Sequence, residues 1–332
     1  MNVRATGHDD SGVSTPAPGA DALHDHFDGR RYFNPNGANG PSLWTVPRML
    51  LTRRARWPAS IPVQPQKPPI VRDHQVGLTC IGHASFLIQA AGASVLTDPV
   101  YADRASPSQS TGPRRVRAPG VRFDDLPPIS IVLLSHNHYD HCDVHTLVEL
   151  KRRFEPTFIT PIGNGGLLRS AGIDRVEELD WWNAATRSSI PITLTPAQHN
   201  SARGMFDRNR ALWGGFLIEV GRKRIFFAGD SGFGPHFEAI RRRLTPIDLA
   251  LLPIGAYEPR WFMKDIHMNP EEAVQAHIDL GAAGSIAMHW GVFHLTAEGI
   301  DEPPARLAQT LAARAIPAKD FRIVEVGASI II

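Results

Sequence analysis

The sequence predicts an α/β fold in which helices cover two packed β-sheets within a single domain. Three observations predict it. Short apolar runs bounded by glycine, proline and charged residues recur from residue 76 onward, and segments with helical spacing follow several of them. No linker separates the two kinds, so one shared core is the economical arrangement. With 332 residues and 42% hydrophobic content, the chain is long enough to bury such a core.

Taken in order, residues 1–25 are rich in Gly, Ser, Pro, Asp and Ala and nearly empty of large apolar side chains, so a disordered tail is expected before a domain spanning 26–332. An arm over about residues 41–69 is proline-rich yet carries Trp44, Met49, Leu50, Leu51 and Trp57 among Arg48, Arg53, Arg54 and Arg56. Such a mixture packs across its own domain or meets anionic lipid headgroups. Strands are expected over 76–81, 86–89, 94–97 and 129–134. A helix over 143–154 follows, with Val144, Leu147, Val148 and Leu150 on one face. The second half repeats the mixture, with strands over 190–195, 212–220, 224–228, 249–253, 285–288 and 321–326 and helices over 237–244, 270–280 and 303–313. No fixed-period repeat is evident.

Composition narrows the function. Lys+Arg and Asp+Glu nearly cancel, 35 against 33, and no basic block tracks a phosphate backbone, so nucleic acid is not the expected partner. Only Cys80 and Cys142 are present, which argues against a disulfide framework and allows a reducing compartment. Without a leader-like segment or an apolar run long enough to span a bilayer, the expected location is cytoplasmic, with peripheral membrane contact through the arm. Fifteen histidines are numerous for this length, and several gather in short clusters at the ends of apolar runs.

The decisive segment is Ile131-Val132-Leu133-Leu134-Ser135-His136-Asn137-His138-Tyr139-Asp140-His141, an apolar strand ending in four potential ligands. His136 and His138, two apart, can be aimed at one ion, while Asp140 and His141 turn toward a second. A solvated histidine cluster or a set of core histidines gives four ligand-type side chains no reason to converge. His199, Asp230 and His289 each follow a further strand-like run, so all can meet at one edge of a sandwich. Gly229 permits close backbone approach before Asp230, whose carboxylate can bridge two cations about 3.5–4 Å apart. Histidine and carboxylate donors without thiolate suit zinc, and iron or manganese are tolerated by the same set.

This ligand pattern resembles that of the metallo-β-lactamase superfamily, which implies an αββα sandwich. A narrower similarity is carried by Ile81-Gly82-His83-Ala84-Ser85, Leu96-Thr97-Asp98-Pro99, the segment from Arg104 to Gln109, Ser135 to His141, and IGAYEPRWFM from Ile254 to Met263. These look like the N-acyl-phosphatidylethanolamine-hydrolysing phospholipase D family, from near His26-Phe27-Asp28-Gly29 to past His289-Trp290-Gly291. By that resemblance His136, His138 and His199 hold one zinc and Asp140, His141 and His289 the other, with Asp230 bridging. It further implies hydrolysis of N-acyl-phosphatidylethanolamine to N-acylethanolamine and phosphatidic acid by a hydroxide held between the ions, with Asp140, Asp230 and His267 catalytic. His267 would stand near the substrate phosphate and protonate the leaving oxygen. Gln109 and Tyr139 fall in matched motifs and are expected to contact the headgroup or phosphate. His83 and Asp98 are expected to hydrogen-bond ligand histidines and so fix their tautomers. A phospholipid substrate and a homodimer are implied as partners. The scaffold also hosts lactonases and other phosphodiesterases, so a related hydrolase of another phosphodiester or a lactone is the alternative. A non-catalytic metal- or lipid-binding module is the alternative of another class, against which the retained Asp140 and Asp230 speak.

Overall fold

The computed structural model describes residues 25–38, 40, 43–72, 75–90, 92–204 and 206–332. The expected tail lies outside the described residues except for Asp25, as does the side chain of Leu50 in the arm. A 3-10 turn (Leu43–Thr45) leads into α1 (Val46–Leu50). β1 (Gly77–Gly82), β2 (Ser85–Ala90) and β3 (Ala93–Thr97) run antiparallel to one another. β4 (Ile131–Leu133), α2 (Val144–Phe154), β5 (Thr157–Pro161), α3 (Gly165–Ser170) and β6 (Val176–Leu179) then extend the same sheet in parallel.

The second sheet is built the same way. β7 (Ala184–Arg187), β8 (Ile190–Thr195), β9 (Gly215–Val220) and β10 (Lys223–Phe227) are antiparallel. Next come α4 (His236–Leu244), β11 (Leu249–Pro253), α5 (Arg260–Met263), α6 (Pro270–Leu280), β12 (Ser285–Met288), α7 (Glu302–Ala313) and β13 (Phe321–Arg322), the strands parallel. β14 (Ser329–Ile331) returns to the first sheet beside β1. Among the described residues the result is two 7-stranded sheets, ordered β14-β1-β2-β3-β4-β5-β6 and β13-β12-β11-β10-β9-β8-β7.

The two-residue side-chain period of a strand explains why the apolar runs are continuous rather than alternating. In β2, Phe86 and Ile88 enter the main core while Leu87 joins a second core on the other face. Around β4, Ile131 and Leu133 share the first core, and Val132 and Leu134 face α2 with Leu147 and Leu150. Helices cover the far side of the second sheet too, where Phe237 of α4, Ala273 and Val274 of α6 and Leu307 of α7 are buried. This is the α/β sandwich, in one domain, that the pattern of runs predicts.

Local chemistry sets the helix ends. Asp143 caps α2 by accepting from Thr146 N, and Lys151, Arg152 and Arg153 occupy its last turn, where cations complement the helix dipole. Asn269 and Glu272 form a capping box at the start of α6, with Pro270 in the first turn. Gly281 closes that helix at φ 61°, a left-handed value that favours glycine.

Three expected strands differ from the structure. The run at 321–326 is a strand only over β13, which pairs with β12 at two positions. Beyond Arg322 the chain leaves the sheet. The run at 129–134 is a strand only over β4, which pairs with β3 and with β5 at three positions each. The run at 212–220 begins its ladder at Gly215, because Leu212 N and Gly214 N are bonded instead to Ile162 O and Ser135 O. The arm lies along its own domain: Arg54 donates to Thr296 O and His294 O, Trp57 Nε1 to Glu298 O, and Ile61 N to Val116 O. Among the described residues, no helix is long and apolar enough to cross a membrane.

Candidate metal centre

Strand ends deliver the site. His83 follows β1, Asp98 follows β3, residues 136–141 follow β4, His199 follows β8, Asp230 follows β10 and His289 follows β12. Three of these residues hold left-handed backbone, at φ 58° for His83, 32° for Asp98 and 60° for His289. That conformation costs about 1–3 kcal/mol at a non-glycine residue and persists where the surroundings enforce it. Gly229 takes φ 59°, and a Cβ there would lie 2.6 Å from Ser135 Cβ. Only glycine lets the turn before Asp230 pass beside the turn before His136.

His136, His138 and His199 form one group of converging donor atoms, and His83, Asp140, His141 and His289 another. In the first, His138 Nδ1 lies 2.9 Å from His136 Nε2 and 3.2 Å from His199 Nε2. In the second, His289 Nε2 lies 3.1 Å from His141 Nε2 and 3.3 Å from Asp140 Oδ2. Asp230 stands between them. Its Oδ2 is 3.1 Å from His141 Nε2, 3.8 Å from His199 and 3.9 Å from His136, while Oδ1 is 3.1 Å from His289 Nε2.

Outer hydrogen bonds fix the ring tautomers. His199 Nδ1 meets the Ile266 carbonyl at 2.8 Å and must donate, leaving Nε2 as a bare lone pair in the neutral ring. Ser135 Oγ donates to Asp98 Oδ2 at 2.6 Å, so it accepts from His136 Nδ1 at 2.9 Å, and His136 Nε2 is bare as well. His141 Nδ1 donates to Asp98 Oδ2 at 2.6 Å. The bare nitrogens of His136 and His199 therefore point toward His138 Nδ1 and the Asp230 carboxylate, an arrangement that fits a cation.

The electrostatics agree. Burial opposes charge on every group here, yet Asp230 and Asp140 hold His141 well above its ordinary value and His289 up to about 9. Asp140 and Asp230 lie well below the usual carboxylate range, because the surrounding histidines overcome burial. Burial and neighbouring histidines push His136 well down, and burial, outweighing the pull of Asp230, does the same to His199. The protein alone thus gathers positive charge onto one group of ligands and bare nitrogen onto the other. Both features fit a pair of metal ions.

The structure brings most of the expected residues together. His83 Nε2 lies 3.1 Å from Asp140 Oδ2, and burial, then His289, lowers its pKa to about 3. Asp98 is fully buried and also accepts from Ser135 N at 2.7 Å. His267 arrives from the loop before α6, its Nδ1 3.9 Å from Asp230 Oδ2 and without a hydrogen-bond partner, its pKa lowered to about 4 by burial. Arg260 holds this loop by donating to the His267 carbonyl at 2.8 Å and to both oxygens of Glu272 at 2.9 Å.

Two expected substrate contacts sit differently. Gln109 is exposed and bonded within its own loop, accepting from Arg104 N at 3.2 Å. The Tyr139 hydroxyl donates to Arg203 O at 2.9 Å, and the Arg203 guanidinium lies 4.0 Å from the centre of its ring. Arg203 in turn donates to Asn137 O and Cys142 O at 2.9 and 2.8 Å, bracing the loop that carries His138, Asp140 and His141. Sequence reasoning missed this arginine, since a charged residue in a polar loop carries no signal. Cys142 is buried, with burial pushing its thiol up to about 11, which suits an apolar role rather than a thiolate ligand.

Comparison with known proteins places this geometry. Residues 94–290 match the family described as "Beta-lactamase superfamily domain". An uncharacterised protein of Mycobacterium tuberculosis is 41% identical over 263 residues, 76% of this chain and 70% of its own. The N-acyl-phosphatidylethanolamine-hydrolyzing phospholipase D 1 of Caenorhabditis elegans is 39% identical over 250 residues, 71% of this chain and 70% of its own. Among solved structures, CmlA, a diiron β-hydroxylase of Streptomyces venezuelae, is similar with a TM-score of 0.60 at 20% identity, over 80% of this chain and 55% of its own. At that identity the likeness is one of fold.

Proposed function

Because the chain belongs to the metallo-β-lactamase superfamily, as its family match and its identity to the nematode phospholipase show, we propose that it is a dinuclear zinc phosphodiesterase of phospholipase D type. Its substrate in this reading is N-acyl-phosphatidylethanolamine, cleaved to phosphatidic acid and an N-acylethanolamine. The observation that carries the reading is the convergence of two donor groups on the Asp230 carboxylate. His136, His138 and His199 would hold one ion and Asp140, His141 and His289 the other, with Asp230 serving both groups. Bound there, the ions supply Lewis acidity toward phosphoryl oxygens and make water acidic enough to attack at neutral pH.

The chain's own residues do the rest. Asp140 and Asp230 would supply the negative charge that retains the ions. His267, neutral at neutral pH and with an unpartnered Nδ1 beside Asp230, would take up the proton that the attacking water loses and deliver it to the leaving oxygen as the bond from phosphorus to the N-acylethanolamine oxygen breaks. His83 and Asp98 orient Asp140 and His141.

A lipid substrate requires a docking face. Trp44 and Leu51 are 90% and 87% exposed, and Arg48 lies over the ring of Trp261, itself 42% exposed on the short helix leading to His267. Arg53 and Arg56 are exposed beside them. This face meets anionic headgroups in our reading, and the working form is a homodimer. Arg53→Glu with Arg56→Glu should weaken binding to vesicles containing phosphatidylserine, and unchanged binding would remove the arm from the docking face.

The reading is tested by metal analysis together with incubation of the chain with N-acyl-phosphatidylethanolamine, a lactone and a generic phosphodiester. Two zinc ions per chain and release of phosphatidic acid are expected. Two irons per chain would overturn zinc as the metal and match instead CmlA, a diiron enzyme. Lactone opening without lipid cleavage would overturn the substrate and leave the metal pair standing.

A further inference from the structure

His199 lies four residues beyond the end of β8, so its backbone has left the sheet that would have paired it. It is nevertheless fully buried, and water cannot serve its N–H and C=O. Asn34 serves both. Its Nδ2 donates to the His199 carbonyl at 2.9 Å, and the His199 N–H donates to its Oδ1 at 3.3 Å. A carboxamide presents a donor and an acceptor side by side, matching a peptide group as a neighbouring strand would. The Nδ2 also donates to Ala38 O at 2.6 Å, which closes the turn that presents the amide.

The adjoining contacts extend this grip. Asn36 Nδ2 donates to Gln198 Oε1, and Gln198 Nε2 donates to Asp265 O at 2.9 Å. Opposite them, the Ile266 carbonyl fixes the His199 ring. Backbone and ring are thus held from two sides, and the side-chain direction has no freedom left. Asn34 is 3% exposed and lies well before residue 94, where the family match begins.

We propose that Asn34 is the positioning residue of His199, setting the third ligand of the ion held by His136 and His138 while touching neither ion nor substrate. The assignment rests on the dinuclear reading. Removing it should cost the first ion selectively, by on the order of 10–100-fold in affinity, as partners of ligand histidines do.

The full chain is loaded with zinc and titrated with a chelator. Wild type should hold two ions, and Asn34→Asp, which keeps the size and the acceptor but loses the donor, should release one ion at lower chelator concentration while keeping the other as wild type does. Asn34→Ser, too short for either contact and uncharged, gives the same reading if the aspartate variant does not fold. Arg30→Ala, an exposed change in the same segment, should behave as wild type. Cobalt substitution adds a second signature, in which the absorption of one bound ion should change and that of the other should not. Both ions retained at wild-type affinity, or both weakened equally, would overturn the assignment. Fewer than two ions in wild type would overturn the dinuclear reading itself.

Discussion

Gly229 shows how little tolerance the centre has. An alanine there would meet Ser135 Cβ at 2.6 Å, Ser135 Oγ at 3.0 Å and Gly214 O at 3.1 Å, in a backbone conformation that disfavours any side chain. Gly229→Ala is expected to cost about 1–3 kcal/mol in urea unfolding and to lower turnover more than that loss explains, because Ser135 orients His136. Asp98→Asn tests the neighbouring link. Asp98 Oδ2 accepts from both His141 and Ser135, and an amide nitrogen in its place should weaken metal retention on the order of 10–100-fold, read by chelator competition. At this scale the sequence is uneven. His136 to His141 is legible because ligand-type residues crowd the end of one apolar strand. Asn34 is not, since an asparagine between phenylalanine and proline in a glycine-rich stretch reads as a turn.

Elements divide along the same line. β4, β8, β10, β11 and β12 are buried and apolar enough over most of their length to be read from composition, and a ligand follows the end of each of them except β11. β6 (VEEL) and β7 (AATR) close the edges of the two sheets, are four residues long and place their polar residues side by side, so neither shows a strand period. β14 pairs only because the chain returns to β1, which no local pattern announces. The capping of α6 by Asn269 is legible as Asn-Pro before an apolar face, but the clamp on it is not. Arg260→Ala would leave Glu272 and the His267 carbonyl without their donor, and is expected to cost about 1 kcal/mol in urea unfolding. Activity should fall further than stability if His267 stands where the phosphate binds.

Across the whole molecule, the donor groups join the two sheets: residues 136–141 leave the first, and His199, Asp230 and His289 leave the second. Stripping metal should therefore lower the melting temperature, and added zinc should raise it with concentration. A melting point indifferent to zinc would argue against ions at this seam. A second link is pH-dependent. His26 is buried, which lowers its pKa, but hydrogen bonds to Asp180 at 2.8 Å and Asp25 at 2.6 Å outweigh burial and raise it above 6.5. The charged form stabilises the fold below pH 6.5, and that contribution fades as pH rises through the raised value. The melting-temperature gap between wild type and His26→Gln should be widest near pH 6 and narrow toward pH 9.

The strap from His26 to Ala38 also decides when the centre can exist during synthesis. His26 pairs with a residue 154 positions away, Asn34 with one 165 positions away, and His141 meets His289 across 148. Loop closure over such spans has to precede the contacts that reward it, which places the chain among slow folders. The strap leaves the ribosome before His199 and must wait for it. The second group stays open until His289 follows, so metal loading is a late event in the life of each new chain.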